Sequence, residues 1–456
     1  MGHPIVRFLG GVREIGGNKV VVEDGPDRVL FDFGPSFSPV YEQYWGQYLQ
    51  PRSSSPVKDR LEFGLLPRVE GLYSEDALAG TDVPRTDPQF QGIFVSHAHM
   101  DHAGHLNLVD GRIPVYASEG TRSLLEAIEE STTTKYGEHP WRTLRYGDAV
   151  SVGRIDVVPM PVDHSIPGAT GFLVRTSEGT IVYTGDFRLH GPRGGESVKF
   201  LEAAGEEKPI ALVTEGTRAG PDPRKQFTEE GVRGGVDKIL DRSKHLALVS
   251  SYPRDLDRLT TLYAAAVADE RELVVSLRTA FLLSSVHKEF PGIALPVPGV
   301  SPGVLVYRRP KSRYFPWERP YLDAAVDAPW VMQHGAKLLL SLELSHFAEL
   351  IDLRPEAGSP YIHSMSEPFS EDDLDDQMLH RWLDHFGLAF HQFHASGHAS
   401  GPELERIVRT MRPKQLFPIH TEHPEAFARW SDRTIAPELG VDYRLDDGAP
   451  GPGDRL

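Results

Sequence analysis

The chain has 456 residues, with 48 Lys and Arg against 65 Asp and Glu, a formal charge of −17 and no cysteine. That length exceeds the usual single-domain range, so two domains are expected. The absence of cysteine excludes disulfides and thiolate metal ligands, leaving His, Asp and Glu to hold any metal, and the acidic balance argues against a generic polyanion binder.

The charge is uneven. Residues 216–360 carry 19 Lys and Arg against 18 Asp and Glu, so the middle third is the part better suited to face a polyanion. No apolar run approaches the roughly 18 residues of a membrane span. The opening "MGHPIVRFLGG" lacks a charged stretch followed by an apolar one, so no export signal is expected. Cytoplasmic residence without membrane attachment is the resulting expectation.

In chain order, "IVRFLGG", "NKVVVED" and "RVLFDFG" predict short strands, being apolar or β-branched runs bounded by Gly, Asp and Pro. Residues 35–90 are rich in Pro, Ser, Tyr and charge, and predict a long loop-and-helix excursion. "GIFVSHAHMDHAGHL" predicts a buried strand that ends in a ligand loop and runs into a helix. "IPVYAS", "RIDVVPMPVDH", "TGFLVRTS", "GTIVYTGDF" and "IALVTEG" predict further strands. Beyond residue 220 the pattern changes. Helices near 226–243, 255–269 and 278–289 alternate with the strands "LALVSSY" and "ELVVSL", which implies a second sheet of βαβ type. "VPGVSPGVLVYRRPKSRYFPWERPY" predicts an irregular segment. From about 385 the chain returns to strand, ligand loop, helix and strand: "GLAFHQFHASGHAS", residues 402–411, then "QLFPIH".

One pattern recurs: an apolar strand ends in a lone Asp or His, at Asp32, His97, His164, Asp186 and His420. A single strand-end Asp is as readily a satisfied buried polar group as a ligand. Five of them beside His97-x-His99-x-Asp101-His102 are much harder to explain that way. Imidazole and carboxylate ligands without thiolates suit zinc, with manganese or iron as alternatives. His105, His190, His391, His394 and His423 do not match ligand positions; each is expected at the surface or in a supporting hydrogen bond. Asp163 is expected as a solvated neighbour of His164, with a supporting hydrogen-bond role as the alternative. In "YRRPKSRYFPWERPY" five cations, Arg308, Arg309, Lys311, Arg313 and Arg319, alternate with aromatics. That composition suits single-stranded nucleic acid and equally a Pro-rich loop packed on its own domain.

The order Asp32, His97-Ala-His99-Met-Asp101-His102, His164, Asp186 resembles the metallo-β-lactamase superfamily. The later part resembles its β-CASP nuclease branch, especially ribonuclease J and the polyadenylation-factor endonuclease. Glu215 in "LVTEGTR", His398 in "HASGHAS" and His420 in "LFPIHTEH" match that branch's motifs A, B and C, and "FLGGVREIGGN" is similar to the ribonuclease J opening. The likeness covers about residues 6 to 425.

The resemblance implies an α/β protein: a metallo-β-lactamase αββα sandwich with an inserted β-CASP α/β domain. Residues 1–221 would form the first part of the sandwich domain, 222–384 the insertion and 385–456 the C-terminal part. It implies two divalent ions per chain, zinc with manganese as the alternative. His97, His99 and His164 would hold one; Asp101, His102 and His420 the other; Asp186 would bridge. Asp32 and Glu215 would orient ligand histidines. Ser396, Gly397, His398 and Ser400 would bind the substrate phosphate, with Asp101, Asp186 and His398 as catalytic groups. The implied activity is hydrolysis of single-stranded RNA, or DNA, by hydroxide bridging the metals, with a lean to 5′-to-3′ exonuclease action. An endonuclease, a small-molecule hydrolase acting on a thioester, lactone or phosphodiester, and a non-catalytic scaffold are the alternatives. The excursion at 35–90 is longer than the superfamily pattern, with a lid or partner surface as its expected use. A further C-terminal domain is expected to be missing, which leaves homodimerisation open.

Overall fold

The computed structural model describes residues 3–37, 44–45, 49–221, 227–368, 373–445 and 452–455. Two sheets pack face to face and a third stands beside them. The first takes β1 (Ile5–Gly10), β2 (Lys19–Asp24), β3 (Asp27–Phe31), β4 (Gly92–Phe94), β5 (Val115–Ser118) and β6 (Trp141–Leu144). The second takes β7 (Val150–Val152), β8 (Ile155–Pro161), β9 (Thr170–Thr176), β10 (Gly179–Tyr183) and β11 (Ala211–Glu215). The third takes β12 (Ala247–Ser251), β13 (Glu272–Ser276), β14 (Val304–Tyr307), β15 (Leu338–Ser341), β16 (Pro360–Ser364) and β17 (Ala389–Gln392). The chain then returns to the sandwich. β18 (Gln415–Ile419) pairs in parallel with β11, while β19 (Val441–Arg444) and β20 (Pro452–Arg455) extend the first sheet beyond β1. The strand orders are β20-β19-β1-β2-β3-β4-β5-β6, β18-β11-β10-β9-β8-β7 and β14-β13-β15-β12-β16-β17.

The period-2 geometry of a strand distributes the apolar residues. Val20 and Val22 face the second sheet, whereas Val21 between them faces the outer helical layer. Phe8, Phe31 and Phe94 of the first sheet meet Phe172 and Tyr183 of the second, and all are almost fully buried. Burying such a ring contributes about 2 kcal/mol over leaving it exposed. Outside the second sheet, the helices Gly194–Glu206 and Gly401–Met411 cover Val158, Leu173, Val182 and Leu212 with Phe200, Leu404 and Val408. Outside the first, Leu124, Leu125 and Ile128 of the helix Glu119–Ser131 cover Val21, Ile93 and Val115. The result is an αββα sandwich. No helix among the described residues is long and apolar enough to cross a membrane.

Several sequence-stretch expectations change. The helix Glu119–Ser131 was not anticipated; Ser118 ends β5 and also caps it, its side chain accepting from Thr121 N–H. The segment expected to be irregular contains β14, whose four residues "VLVY" lie between Gly303 and Arg308 among prolines. β17 pairs with β16 in the third sheet, so a boundary at 385 cuts through that unit rather than beside it. The boundary at 222 lies at residues 222–226, outside the described residues. In the excursion, Val57, Leu66, Leu72 and Leu78 pack into the outer core of the first sheet, so much of it is a structural cover.

A buried ion network joins the third sheet's unit to the sandwich. Arg188, which follows β10, donates to Asp163 Oδ1 at 3.2 Å and to Asp257 Oδ2 at 3.2 Å, and lies 3.5 Å from Glu229. Arg193 donates to Asp257 at 2.7 Å. Arg258 donates to Glu229 at 2.7 Å and to the Ser364 and Ala395 carbonyls at 2.9 and 3.0 Å. Asp163, expected at the surface, is fully buried because Arg188 compensates it. Taking ions out of water is costly unless each is paired and bonded. Here four carboxylates, those of Asp163, Glu229, Asp255 and Asp257, face three guanidinium groups. Burial, aided by Glu229 and Asp257 and opposed by Arg258 and Arg188, pushes Asp255 up from 3.8 to about 7.

An acid raised in the folded state is favoured in its protonated form. Its stabilising contribution is therefore full below the ordinary value of 3.8 and is lost as pH rises towards 7. Asp255 also caps the helix Leu256–Ala268 by accepting from Arg258 N–H, a role that asparagine fills. Asp255→Asn is expected to gain in melting temperature on the wild type between pH 5 and pH 8; a constant offset across that range contradicts this account.

Candidate metal centre

Strand ends from both sheets of the sandwich converge on one buried cluster. Asp32 follows β3 and His420 follows β18, each in the left-handed region with φ of 58° and 51°. Such conformations cost energy and persist where the surroundings over-determine them. His97 and His99 lie in the loop after β4, and His99 caps the short helix Met100–Ala103 that carries Asp101 and His102. Gly34 lets two segments touch here, since a Cβ on it would lie 2.1 Å from the Asp101 carbonyl carbon. His164 follows β8 and Asp186 follows β10.

The outer nitrogens of the rings are fixed by neighbours. His102 Nδ1 lies 2.8 Å from Asp32 Oδ2, and His164 Nδ1 lies 2.6 Å from the Gly397 carbonyl. Both partners only accept, so each Nδ1 carries a proton and each Nε2 faces inward. His420 Nδ1 lies 2.7 Å from Thr217 Oγ1, and His97 Nδ1 lies 3.0 Å from Ser96 Oγ. Asp32 is itself held by Ser96 N–H and Oγ at 2.7 and 2.8 Å and by the Tyr183 hydroxyl at 2.6 Å.

Inside this frame His99 Nδ1 is 2.9 Å from His97 Nε2 and 3.1 Å from His164 Nε2. Asp186 Oδ2 is 3.1 Å from His102 Nε2, 3.5 Å from His420 Nε2 and 3.8 Å from His97 Nε2. Asp101 Oδ2 is 3.1 Å from His420 Nε2. Two groups have donor atoms within 4.8 Å of one another: His97, His99 and His164; and Asp101, His102, Asp186 and His420. Burial pushes His97 and His164 well below the ordinary imidazole value and His99 to about 4, leaving neutral rings. Burial works the same way on His420, but Asp186 and Asp101 outweigh it and lift the ring to about 9. Among the described residues, neither His102 Nε2 nor Asp186 Oδ1, both buried, has a hydrogen bond of good geometry. Crowded lone pairs, orphaned buried atoms and carboxylates that need compensating charge together fit a divalent cation in each group.

The other sequence-predicted residues sort differently. His398, about one-fifth exposed at its side chain, lies 3.3 Å from Glu215 Oε1 and 3.1 Å from Thr217 Oγ1. Glu215 accepts from Thr217 N–H at 3.0 Å and from Ala399 N–H at 3.2 Å; the group that touches a ligand histidine is Thr217, which the sequence reading missed. Ser396 and Gly397 line the cleft with His398. Ser400 does not: its hydroxyl and N–H both go to Glu403 Oε2 at 2.8 Å, starting the helix Gly401–Met411. Of the neighbouring histidines, His105 differs from expectation, being buried against Phe33, whereas His190 makes a supporting bond, Nε2 to the Ser396 carbonyl at 3.0 Å. His394 lines the cleft, pushed to about 3 by burial and Arg258.

The cluster is the floor of a cleft of about 520 Å³. Its other wall is the third sheet's strand ends: Tyr252 to Asp255 after β12, Ser366 and Glu367 after β16, and Gln392 and His394 around β17. Arg218 and Arg254 line it as well.

Residues 72–204 match a family model described as "Beta-lactamase superfamily domain", and residues 388–434 match a "Zn-dependent metallo-hydrolase RNA specificity domain". Residues 72–204 thus form a metallo-β-lactamase superfamily domain, and the chain as a whole is similar to the β-CASP, ribonuclease J-like branch of that superfamily. Among β-CASP relatives, it is 29% identical to Ribonuclease J of Sinorhizobium meliloti over 80% of this chain and 64% of that protein. It is 24% identical to Ribonuclease J of Thermus thermophilus over 97% of this chain and 74% of that protein. The chain thus spans about two-thirds of the length of these relatives. A crystal structure of a protein of unknown function from Enterococcus faecalis V583 shares the fold, with TM-score 0.77 and 24% identity, covering 97% of this chain and 100% of that one.

Asp32→Asn keeps the size of the group that orients His102 but weakens its acceptor. It is expected to lower metal affinity 10- to 100-fold, as read by chelator competition, with the sandwich still folded. Asp186→Ala is expected to strip metal from both groups, as read by elemental analysis of the purified protein.

Proposed function

We propose that this chain is a metal-dependent nuclease that hydrolyses phosphodiester bonds of single-stranded RNA, with single-stranded DNA as a second substrate. The observation that carries the reading is the position of the seven-residue donor cluster at the floor of a cleft walled by a second α/β unit. That unit would comprise about residues 227–393, with the sandwich domain on either side in sequence. His97, His99 and His164 would hold one divalent ion, and Asp101, His102 and His420 a second, with Asp186 between them. Zinc fits this donor set, and manganese is the alternative. Bound there, the ions would supply Lewis acidity and a water of lowered pKa.

The chain's own residues supply the rest. Tyr252 and Phe37 expose aromatic faces in the cleft, and bases stack on such faces regardless of sequence. Arg218 and Arg254 meet phosphate charge. His398 sits at the rim of the donor cluster with Nδ1 turned to Glu215 and Thr217, which leaves Nε2 for the substrate. A protonated ring there neutralises charge on the phosphate oxygens or donates a proton to the leaving oxygen. The Ser396–His398 turn is held from behind, because Arg188 and His190 both bond the Ser396 carbonyl. Exonucleolytic action in the 5′-to-3′ direction follows the likeness of "FLGGVREIGGN" and "SGHAS" to ribonuclease J.

With single-stranded RNA labelled at its 5′ end, release of labelled mononucleotide is expected under zinc or manganese. Internal fragments would assign an endonuclease, and no cleavage of RNA or DNA by metal-loaded protein would sink the nuclease reading. His398→Ala is expected to retain its metals and to slow cleavage by roughly 10²; unchanged turnover removes His398 from the chemistry.

A further inference from the structure

The third sheet is wholly parallel, and ligands of open parallel sheets bind outside the carboxyl ends of the strands. Here that edge is shared. β12, β16 and β17 end at the cleft, while β14, β13 and β15 end at a second cavity of about 150 Å³. Arg278, Arg309, Lys311, Phe315 and His346 line this cavity. Arg278 lies in the first turn of the helix Leu277–Glu289, whose N-terminus adds partial positive charge.

The charges are available to a ligand. Among the described residues, neither the Arg278 nor the Arg309 guanidinium makes a hydrogen bond or a close ion pair. Lys311 is paired, donating to both Glu318 oxygens at 2.5 and 2.6 Å, and Glu318 also accepts Phe315 N–H. The second carboxylate facing the two arginines is Glu343, and burial pushes it upward against their pull. His346, pushed to about 4 by burial and the same arginines, is neutral. An aromatic face accompanies the cations: Phe315, with 55% of its surface exposed, lies parallel to Trp317 at 6.2 Å.

 Phe315 is thus the exposed ring of this pair, and Trp317, 9% exposed, is the buried one.

We propose that this cavity is a second phosphate-binding subsite for the same nucleic-acid strand, with Arg278 and Arg309 gripping a phosphodiester and Phe315 stacking a base. The inference rests on the nuclease reading of the cleft and extends it along the sheet edge. Three strand spacings separate the ends of β12 and β14, about 14 Å in all, which a strand crosses in about four stacked nucleotides. Oligonucleotides shorter than that occupy the cleft alone, whereas longer ones also engage the arginines.

The test is equilibrium binding of non-cleavable 2′-O-methyl RNA, three or twelve nucleotides long, to the metal-loaded full chain, with Arg278→Ala/Arg309→Ala beside the wild type. The double variant is expected to bind the twelve-mer about tenfold more weakly and the three-mer within twofold. Its salt dependence for the twelve-mer should fall by about 0.7 per lost phosphate contact. Lysine at both positions should restore part of that dependence, and unchanged melting temperature and metal content control for folding. Equal affinity of wild type and variant for the twelve-mer overturns the subsite and leaves the nuclease reading standing; a wild type that binds neither length removes both. Inorganic phosphate provides the last arm. If it perturbs Trp317 fluorescence through these arginines while twelve-mer binding ignores them, the cavity serves a small phosphoryl compound and the strand assignment fails.

Discussion

Asp186 sets the constraint on which the rest of the structure depends. Its carboxylate is buried, within 4 Å of His97, His102, His398 and His420. A charge in that position is tolerable only with compensation close at hand. Asp186 follows β10, and its compensating groups come from far apart in sequence, after β4, β17 and β18, so the two sheets must close before the site exists. The aromatic layer between the sheets, Phe8, Phe31, Phe94 and Phe172, drives that closure. Burial then keeps the His97, His99 and His164 rings neutral, which is the form a metal binds. Folding energy is therefore spent on gathering donors, and metal binding returns part of it.

The same logic operates at the junction between the two units. Arg188 bonds Asp163, next to His164, as well as the Ser396 carbonyl, two residues from His398, and Asp257 in the third sheet's unit. One buried guanidinium thus ties together the segments that carry the floor of the cleft, its rim and its opposite wall. Relative motion of the units has to break charge-assisted bonds in a dry environment, where a lost partner costs most. Hydrophobic contact reinforces the junction, since Leu282, Leu283 and Val286 of the helix Leu277–Glu289 share a core with Leu124 and Ile128 of the sandwich's outer helix.

The donor cluster was legible in sequence because ligand chemistry restricts residue type and strand ends restrict position. His97, His164, Asp186 and His420 each satisfy both conditions, as does Asp32, which holds the His102 ring. Thr217 satisfies neither: threonine is common after a strand, and its bond to His420 spans 203 residues. Asp163 and Arg188 were hidden for a related reason, since a buried ion pair looks like two surface charges until the partner unit is in place. Ser400 was readable in retrospect. "SGPE" is a Ser-x-x-Glu start, and Glu403 holds the serine at the helix rather than leaving it to a phosphate. β14 was obscured by its prolines; its four apolar residues become a strand through pairing with β13, a non-local cause.

The way the third sheet's unit is inserted ties it to the chemistry. The chain leaves the sandwich after β11 and comes back through Ser400 into the helix Gly401–Met411, and Arg218 on the way out pairs with Ser400 on the way back. Exit and return are therefore one strand spacing apart, about 4.8 Å. One residue before that bridge, on the outgoing side, Thr217 holds His420, which follows the neighbouring parallel strand β18, at 2.7 Å. The stem of the insertion is thus also part of the donor cluster. A displacement of the unit strong enough to open the stem would pull Thr217 from His420 and free the ring to turn, so the geometry of the cleft and that of the metal ligands are mechanically one.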